Sequence, residues 1–293
     1  MSLLHKHLER NRALILASEV WAPEYDSSPE TLGRLLKVTA RMERRILEWM
    51  RSNAKNVDRF IKWDAYRYAR YEIKATRVDA YDVQVIVDDA ALDDLDTAFI
   101  TVVFEEIAVS TALGAQAGEI TYRIPLGLDV SDAQIQRIAK EQVAELVGKR
   151  VTKDGLIIDN PRAEYRISDK VRADIKESIQ TSLSLGDDVP AARDRLMTTI
   201  KDSRRAEMIA QTETVNSYNK GLSYFGQRSG AIGKEWRNNG ATDICAVNSG
   251  DGVIPFGTSF SSGHSEPTAH PRCRCYLRLV YQNELDKNPD LFG

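Results

Sequence analysis

The sequence lacks the marks of membrane-spanning, secreted and repeat proteins. No uninterrupted run of apolar residues approaches the roughly 20 that are needed to cross a bilayer. The beginning of the chain carries charges among its apolar positions, and it lacks the clean apolar stretch and small-residue cleavage site of a signal peptide. Internal repeats and low-complexity tracts are also missing. These absences predict a protein that folds and acts in a cytoplasm, with no membrane as partner.

A strong charge of either sign is missing as well. The 293 residues include 40 lysines and arginines and 43 aspartates and glutamates, which gives a formal net charge of -3. The molecule as a whole is therefore no polycation for nucleic acid, and any contact with DNA must come from a local basic patch. The length and the ordinary apolar content allow one large domain or two modest ones with real cores.

The catalytic motifs of several enzyme classes do not occur either. The sequence has no G-x-S-x-G, no phosphate-binding loop, no G-x-G-x-x-G, no H-E-x-x-H and no H-x-E with a paired C-x-x-C. An acid-base set of His264, Glu266 and His270 could act with Cys273 as nucleophile if the fold made them converge. Histidines in a polar loop are more often structural, so we predict a protein that is not an enzyme.

Cysteine is scarce, and its placement is informative. The only cysteines are Cys245, Cys273 and Cys275, and an odd count in a long chain argues against a secreted disulfide framework. Zinc takes four nitrogen or sulfur ligands. The three cysteines and His270 supply four, and His264 could substitute for His270. The sequence therefore indicates a candidate zinc site at Cys245, His270, Cys273 and Cys275.

The spacing of the last two cysteines sets a condition on this site. On an extended strand, Cys273 and Cys275 would lie on the same side, roughly 6.6 Å apart, which is too far for two sulfurs on one tetrahedral ion. The backbone would have to curl there, and Pro271 permits a turn. In the alternative interpretation, the cysteines are small buried apolar residues that pin an irregular loop.

Apolar residues at three- and four-residue spacing predict a mainly helical chain. Pro29 suits the first turn of the first helix, and Gly114 and Gly118 are expected to mark the end of a long one. The predicted helices cover residues 29–52, 56–76, 88–116, 131–147 and 168–186, a short stretch after Asp188, and a longer one from Ser203.

Extended segments are predicted to be few and short. An Asp-Gly pair at Asp154 and Gly155 predicts a small hairpin. Alternating residues suggest a strand at 81–87, and the glycine-rich part after Gly230 suggests strands at 234–237, 253–255 and 275–281. The polar tail after Gln282 is expected to be an exposed end.

One predicted helix combines basic and aromatic residues. Along 59–77, basic side chains stand beside Trp63, Tyr66, Tyr68 and Tyr71. Such a mixture can bind phosphates and stack on bases. In the alternative interpretation, which we favour, the aromatic rings face the core and the arginines are solvated. The candidate DNA-binding residues are Arg59, Lys62, Arg67, Arg70, Lys74 and Arg77.

The C-terminal part contains a series of recognisable segments. RRAEMIAQTETVNSYNKG (204–221) is followed by Trp236, by Cys245 with the glycine-rich NSGDG, and by HPRCRC (270–275). In order and spacing, they resemble the head-morphogenesis domain named after the phage Mu F protein. The resemblance covers about 163–281. That family often has a further cysteine three residues before the position that corresponds to Cys245. In this sequence Thr242 stands there. The motif residues are Glu213, Trp236, His270, Pro271, Cys273 and Cys275.

The resemblance implies a fold and a structural role in a virus particle. Together with the predicted helices, it gives a mainly α fold, with a helical N-terminal domain (1–160) that matches no family we can name, an α+β Mu F-like domain with a small antiparallel sheet (161–285) and a tail (286–293). The protein would be a minor head protein of a tailed bacteriophage. It would lie in the virion near the portal vertex, after assembly in the host cytoplasm. Its partners would be the portal protein, other capsid or scaffold proteins, and DNA if it also serves packaging or ejection.

Two other functions stay open at this point. The first is a metal-dependent nuclease or toxin-like effector on a Mu F-like module, whose activity would depend on His270 and Cys273. The second is a DNA-binding ejection protein, whose affinity for DNA would fall steeply with salt.

Overall fold

A computed structural model describes residues 29–76, 82–163, 167–238 and 243–292. The described chain is mainly helical and includes a small antiparallel sheet, as the sequence predicts. It forms two compact units. We call Met1–Leu36, Ser110–Ser131 and Thr212–Gly293 the C-terminal unit, and Lys37–Val109 with Asp132–Gln211 the helical unit. Neither unit begins or ends at residue 160, so the predicted domain boundary marks the extent of the resemblance and stays a prediction.

Most of the predicted helices are present, some with different ends. Asp132, Asp188 and Asp243 each cap a helix by accepting backbone N–H bonds, which satisfies donors that have no partner within the helix. The described helices are α1 (Pro29–Lys55), α2 (Trp63–Thr76), α3 (Asp89–Tyr122), α4 (Ala133–Leu146), α5 (Ile167–Leu185), α6 (Val189–Ile200), α7 (Ser203–Ser229), α8 (Ile244–Gly250) and α9 (Gln282–Leu285).

Five short strands complete the fold. In the helical unit, β1 (Lys149–Val151) and β2 (Ile157–Asp159) form an antiparallel hairpin. Gly155 has a φ of 80° at its turn, where the Asp-Gly pair predicts it. In the C-terminal unit, β3 (Gly233–Arg237) lies between β4 (Val253–Pro255) and β5 (Tyr276–Val280) and is antiparallel to both. These three strands confirm the segments expected after Gly230.

Two apolar clusters form the core of the helical unit. One includes Tyr66, Ile175 and Leu196, and the other includes Met42 and Phe99, all of them at most 2% exposed. The isoleucines and leucines of α5 fall four residues apart, which puts them on one face of the helix. Each such side chain contributes about 1.5–3 kcal/mol when it is buried, so these stripes account for the stability of the unit.

Helices α3 and α7 meet in the C-terminal unit with almost no space between their backbones. A Cβ atom on Gly114 would lie 1.9 Å from the carbonyl oxygen of Tyr218, and one on Gly221 would lie 1.8 Å from that of Thr111. The expectation that Gly114 and Gly118 end the helix is therefore wrong. They lie inside α3, where the missing side chains let the second helix approach.

Helix α3 is also unusually apolar. Over Ala90–Tyr122 it is long and apolar enough to cross a membrane by composition alone, with a mean hydropathy of 1.6. No uninterrupted apolar run of this length was found in the sequence because Glu105 and Glu106 interrupt the helix. In the fold, 61% of the apolar window is buried inside the protein, which is typical of a core helix.

Side chains of α3 and α7 complete the outer edge of β5. The amide of Asn219 accepts a hydrogen bond from the N–H of Leu277 (2.9 Å) and donates one to the carbonyl of Cys275 (3.1 Å). The hydroxyl of Tyr122 accepts from the N–H of Leu279 (2.8 Å). An edge strand exposes unpaired backbone groups, and here two helices pair them.

One predicted strand is wrong, and the C-terminal tail is more ordered than expected. The strand expected at 81–87 is a 3-10 turn over Val83–Val85, capped by Asp82, with a single bridge between Ile61 and Val87. Tyr81 lies outside the described residues. The tail after Gln282 is exposed over most of its length, as predicted, but it is folded, because α9 and a 3-10 turn at Pro289–Phe292 continue the chain. The ring of Phe292 lies close against Gly233.

Candidate metal centre

The first cysteine lies at the start of a helix that the sequence did not predict. Asp243 caps α8 and accepts a hydrogen bond from the N–H of Cys245 (3.0 Å). Cys245 is fully buried. The glycine-rich NSGDG segment begins inside this helix, which ends at Gly250. Gly252 follows the helix with a φ of 64°. The cap therefore holds the Cys245 thiol in a fixed position.

The other two cysteines lie between a turn at Pro271 and Arg272 and the start of β5. The N–H of Cys273 donates to the carbonyl of His270 (3.2 Å). Arg272 has a φ of 59°, and its N–H donates to the hydroxyl of Thr212 on α7 (2.9 Å). Since β5 begins only at Tyr276, the two cysteines lie before the paired strand, and their thiols interact with each other.

Three of the four predicted ligands converge. The ligand atoms of Cys245, His270 and Cys273 all lie within 4.8 Å of one another. The sulfurs of Cys245 and Cys273 are 3.6 Å apart. The thiol of Cys275 is 1% exposed, interacts with both of these thiols, and donates to the side-chain oxygen of Asn238 (3.7 Å). The converging group thus contains three of the four predicted ligands, and Cys275 lies beside it.

The imidazole of His270 has one nitrogen bonded and one directed inward. Its Nδ1 lies 2.8 Å from the carbonyl oxygen of Pro271. A carbonyl can only accept, so Nδ1 carries the proton in this bond. Its Nε2 is buried and makes no hydrogen bond. The carboxylate of Asp243 lies 3.4 Å from this nitrogen, within ion-pair distance but without the geometry of a hydrogen bond.

Two of the thiols have raised pKa values in the absence of a cation. Hydrogen bonding with Cys273 and then Cys275, together with burial, raises the pKa of Cys245. At Cys273, the bond with Cys245 lowers the pKa, but the bond with Cys275 and burial outweigh it, so the pKa is raised. A reactive cysteine needs a lowered pKa. The cluster therefore differs from the site of an activated nucleophile.

The remaining residues of the acid-base alternative have other contacts. The ring of His264 lies 6.3 Å from that of Trp236, and its Nδ1 is 2.8 Å from the hydroxyl of Ser262. Among the described residues, the converging group contains His270 and not His264. Glu266 interacts electrostatically with the buried Lys234. The ammonium of Lys234 donates a hydrogen bond to the carbonyl of Ser265 (2.7 Å).

The family motif also contains residues whose roles the sequence analysis missed. Asn219 and Thr212 lie inside the RRAEMIAQTETVNSYNKG segment, and they hold the backbone of β5 and of the turn before it. Polar residues on an otherwise apolar helix face were the available signal. Glu213 accepts a hydrogen bond from Asn216 (3.4 Å). Trp236 is fully buried against the ring of Phe260, at 5.2 Å.

Much of the basic charge on the candidate DNA-binding segment is paired. The guanidinium of Arg59 donates to Asn53 (2.5 Å), that of Arg67 pairs with Asp64 (2.6 Å), and that of Arg70 donates to the carbonyl of Gly186 (3.1 Å). Lys62 and Lys74 are exposed, and Arg77 lies outside the described residues.

The aromatic residues of α2 are divided between core and surface. Tyr66 is fully buried and donates to the carbonyl of Asp187 (3.0 Å). Tyr68 and Tyr71 are 59% and 68% exposed. The alternative with all rings facing the core therefore holds for Tyr66 but not for these two tyrosines.

Comparisons with known proteins leave the resemblance to stand on its own motifs. No model of a protein family matches the chain, and neither a curated protein nor a solved structure matches it.

Proposed function

We propose that the protein is a minor head protein of a tailed bacteriophage, which binds near the portal vertex and acts in head morphogenesis. The proposal starts from the resemblance of 204–221, Trp236, Cys245 and 270–275 to the Mu F-like family. The observation that carries it is that α7 from Thr212 onward, β3, α8 and the closing segment belong to one compact unit. Segments that resemble one domain in order, and that also pack together, are expected to form one module.

The use of the motif residues favours a structural role. The side chains of Thr212 and Asn219 form hydrogen bonds with the protein's own backbone, and Trp236 is fully buried. Residues used in this way supply a fixed shape rather than reacting groups. A rigid module with this design suits binding to a neighbouring protein, such as the portal.

Analysis of proheads tests this proposal. Proheads isolated from the infected host are expected to contain the chain in few copies, and the chain should co-purify with the portal protein. Trp236→Ala removes the largest buried side chain of the module and should lower incorporation. Arg137→Gln, on the exposed face of α4, is the matched control and should leave incorporation unchanged. A chain that is abundant in the lysate but missing from proheads would contradict the proposal.

The enzyme alternative has less support. The thiol of Cys273 is 1% exposed, and its raised pKa disfavours the thiolate that a nucleophile needs. A nuclease or toxin-like effector would also require its substrate to reach His270 at this buried cluster. Metal-dependent turnover by the purified chain, lost in His270→Ala, would favour the enzyme over the structural role.

A DNA-binding ejection protein is favoured by one observation on α2. The exposed Tyr68 and Tyr71 stand on the same helix as the exposed Lys74, and Lys62 immediately precedes it. Exposed aromatic rings and lysines form the usual surface for nucleic acid. In this case, affinity for DNA should fall steeply as salt rises.

A matched pair of double variants tests this surface. Replacing Lys62 and Lys74 by alanine should reduce the slope of log affinity against log salt by about 2, since each lysine-phosphate contact accounts for about 1. Replacing the exposed Lys37 and Lys201 instead removes the same charge elsewhere and should leave the slope unchanged. Equal slopes in both variants would remove α2 as the DNA contact.

A further inference from the structure

We propose that Cys245, His270, Cys273 and Cys275 bind one zinc ion in a closed structural site. The site goes beyond the head-protein function and does not depend on it, because the ligands are recognised by their residue types and their positions by the fold, without the family resemblance. In this site the ion joins the start of α8 to the turn before β5.

The sulfur positions fit a tetrahedral zinc ion. Two sulfurs that are each about 2.3 Å from zinc at the tetrahedral angle lie about 3.8 Å from each other. The sulfurs of Cys245 and Cys273 are 3.6 Å apart, and the His270 ligand atom lies within 4.8 Å of both. Three ligands can therefore reach one ion with little movement.

The imidazole of His270 is oriented as a metal ligand. Its Nδ1–H donates to the carbonyl of Pro271, which leaves the lone pair on Nε2 available. Ligating histidines usually donate their other N–H to a carbonyl or carboxylate in this way. The buried Nε2 has no hydrogen bond of its own, and this is independent of the sulfur distances. Zinc would satisfy a polar atom that the protein otherwise leaves without a hydrogen bond.

Two groups compete for the fourth position. Cys275 is 1% exposed and its thiol interacts with the other two thiols. The side chain of Asp243 is 53% exposed, and one of its oxygens already caps α8. A buried thiolate is the better ligand for a closed structural site, so we assign the fourth position to Cys275. Asp243 then orients α8 and thereby Cys245.

The charges in the segment are compatible with this assignment. Binding of one zinc ion by three thiols and a neutral imidazole releases three protons and leaves a net charge of -1. Arg272 and Arg274 alternate with Cys273 and Cys275 in the sequence, so two positive charges belong to the same segment as two of the ligands.

The ion explains how an irregular segment keeps its shape. Between α8 and β5 the chain forms only the short strand β4 and a series of turns. Zinc would close this loop at both ends, because Cys245 precedes it and Cys273 ends it. A structural zinc site contributes directly to folding. In the alternative, the thiols pack as apolar groups and no cation is involved.

Metal analysis of the purified full-length chain tests the proposal. Under reducing conditions, after zinc loading and removal of loose metal, the chain is expected to hold one zinc ion per molecule. A wild-type chain that holds none would overturn the proposal. This measurement needs no phage particle, so its failure is distinct from a failure of the head-protein function.

Variants then test the assigned ligands. Cys245→Ser, Cys273→Ser and His270→Ala should lose the bound zinc, and Cys275→Ser should bind it more weakly in competition with a chromophoric chelator. His264→Ala and Asp243→Asn are the controls and should keep one zinc ion, since asparagine preserves the helix cap. Retention in Cys275→Ser together with loss in Asp243→Asn would overturn the fourth assignment.

Cobalt provides a readout that does not depend on whether a variant folds. Co²⁺ added to the wild-type chain should give tetrahedral absorption bands and a sulfur-to-cobalt charge-transfer band whose intensity corresponds to three thiolates. Zinc should displace the cobalt and abolish both signals. Octahedral spectra without the charge-transfer band would show that the thiols do not bind the metal, and would contradict the site.

Discussion

In the helical unit, buried apolar side chains form stripes along the helices. In the C-terminal unit, by contrast, individual polar side chains hold short strands and turns in place through hydrogen bonds. Ile175 and Leu196 illustrate the first kind of interaction, being fully buried in an apolar cluster. Asn219 illustrates the second, because its amide pairs with the backbone of β5 in both directions. The first kind tolerates a change of shape that keeps the volume, and the second depends on particular atoms.

The two units also differ in how their helices approach each other. In the helical unit, side chains separate the helices, and Arg205 pairs with Asp174, with both side chains at most 14% exposed. In the C-terminal unit, Gly114 and Gly221 allow contact between backbones. The difference predicts that the C-terminal unit is more sensitive to an added methyl group, and the helical unit to a lost charge.

The largest effect is expected from adding that methyl group at Gly221. In Gly221→Ala, the new Cβ would lie 1.8 Å from the carbonyl oxygen of Thr111, so α3 and α7 must separate. We expect a loss of about 4 kcal/mol in the free energy of unfolding, measured by urea denaturation with hydrogen exchange in peptides of α7.

Gly33→Ala is the matched control for this experiment. Gly33 lies inside α1 with nothing within 4 Å of the added Cβ. Alanine has the better helix propensity, so this variant should be more stable by about 1 kcal/mol. Equal destabilisation by both variants would show that close helix packing is not the cause.

In the helical unit, the largest single effect is expected from the lost charge in Asp174→Ala. This change leaves the buried guanidinium of Arg205 without its carboxylate, and Lys170 loses its partner too. A buried charge without a partner is costly, and we expect a loss of about 3 kcal/mol in the free energy of unfolding. The double variant with Arg205→Met should recover part of the loss. No recovery would mean that the pairing itself matters little.

Loss of the side-chain hydrogen bonds to β5 should lower the free energy of unfolding somewhat less. Asn219→Ala leaves the N–H of Leu277 and the carbonyl of Cys275 without their side-chain partner, and we expect a loss of about 2 kcal/mol. Hydrogen exchange at Leu277 should accelerate. In Asn219→Asp the side chain still accepts from Leu277 but no longer donates to Cys275, so an intermediate loss is expected. A full loss there would contradict the paired role of the amide.

The smallest effect concerns Tyr122 and alkaline pH. Burial raises the pKa of Tyr122 to about 12, above the value of about 10 in an unfolded chain. The folded state therefore holds the proton more tightly, and the stabilisation that is complete below pH 10 is lost as the pH rises towards 12. Tyr122→Phe should cost about 1 kcal/mol at neutral pH and flatten this alkaline decline. A decline of unchanged steepness would contradict the assignment.

Periodicity predicted what local patterns determine. The stripe of Ile175 and Ile179, the turn at Gly155 and the strand opposite Trp236 follow from residue spacing and turn chemistry. The true end of α3 could not be predicted in this way. Gly114 is a glycine because α7 packs against it, and α7 lies about a hundred positions later in the sequence. A glycine that ends a helix and one that admits a neighbour look alike in the sequence.

The candidate site was predicted from residue types and completed by the fold. Cysteine and histidine were recognisable as ligands, but an extended segment would have kept Cys273 and Cys275 apart. The turn that precedes them is held by Thr212, which lies 60 positions earlier in the sequence. The cap that positions Cys245 belongs to a helix too short for a periodic signal.

X-ray absorption at the zinc edge of the purified chain tests the metal centre most directly, and with it the view that specific atoms rather than apolar area fasten the C-terminal unit. We expect a four-coordinate ion with three sulfur atoms at about 2.3 Å and one nitrogen at about 2.0 Å. A shell of oxygen and nitrogen alone, or a protein that retains no zinc, would contradict it.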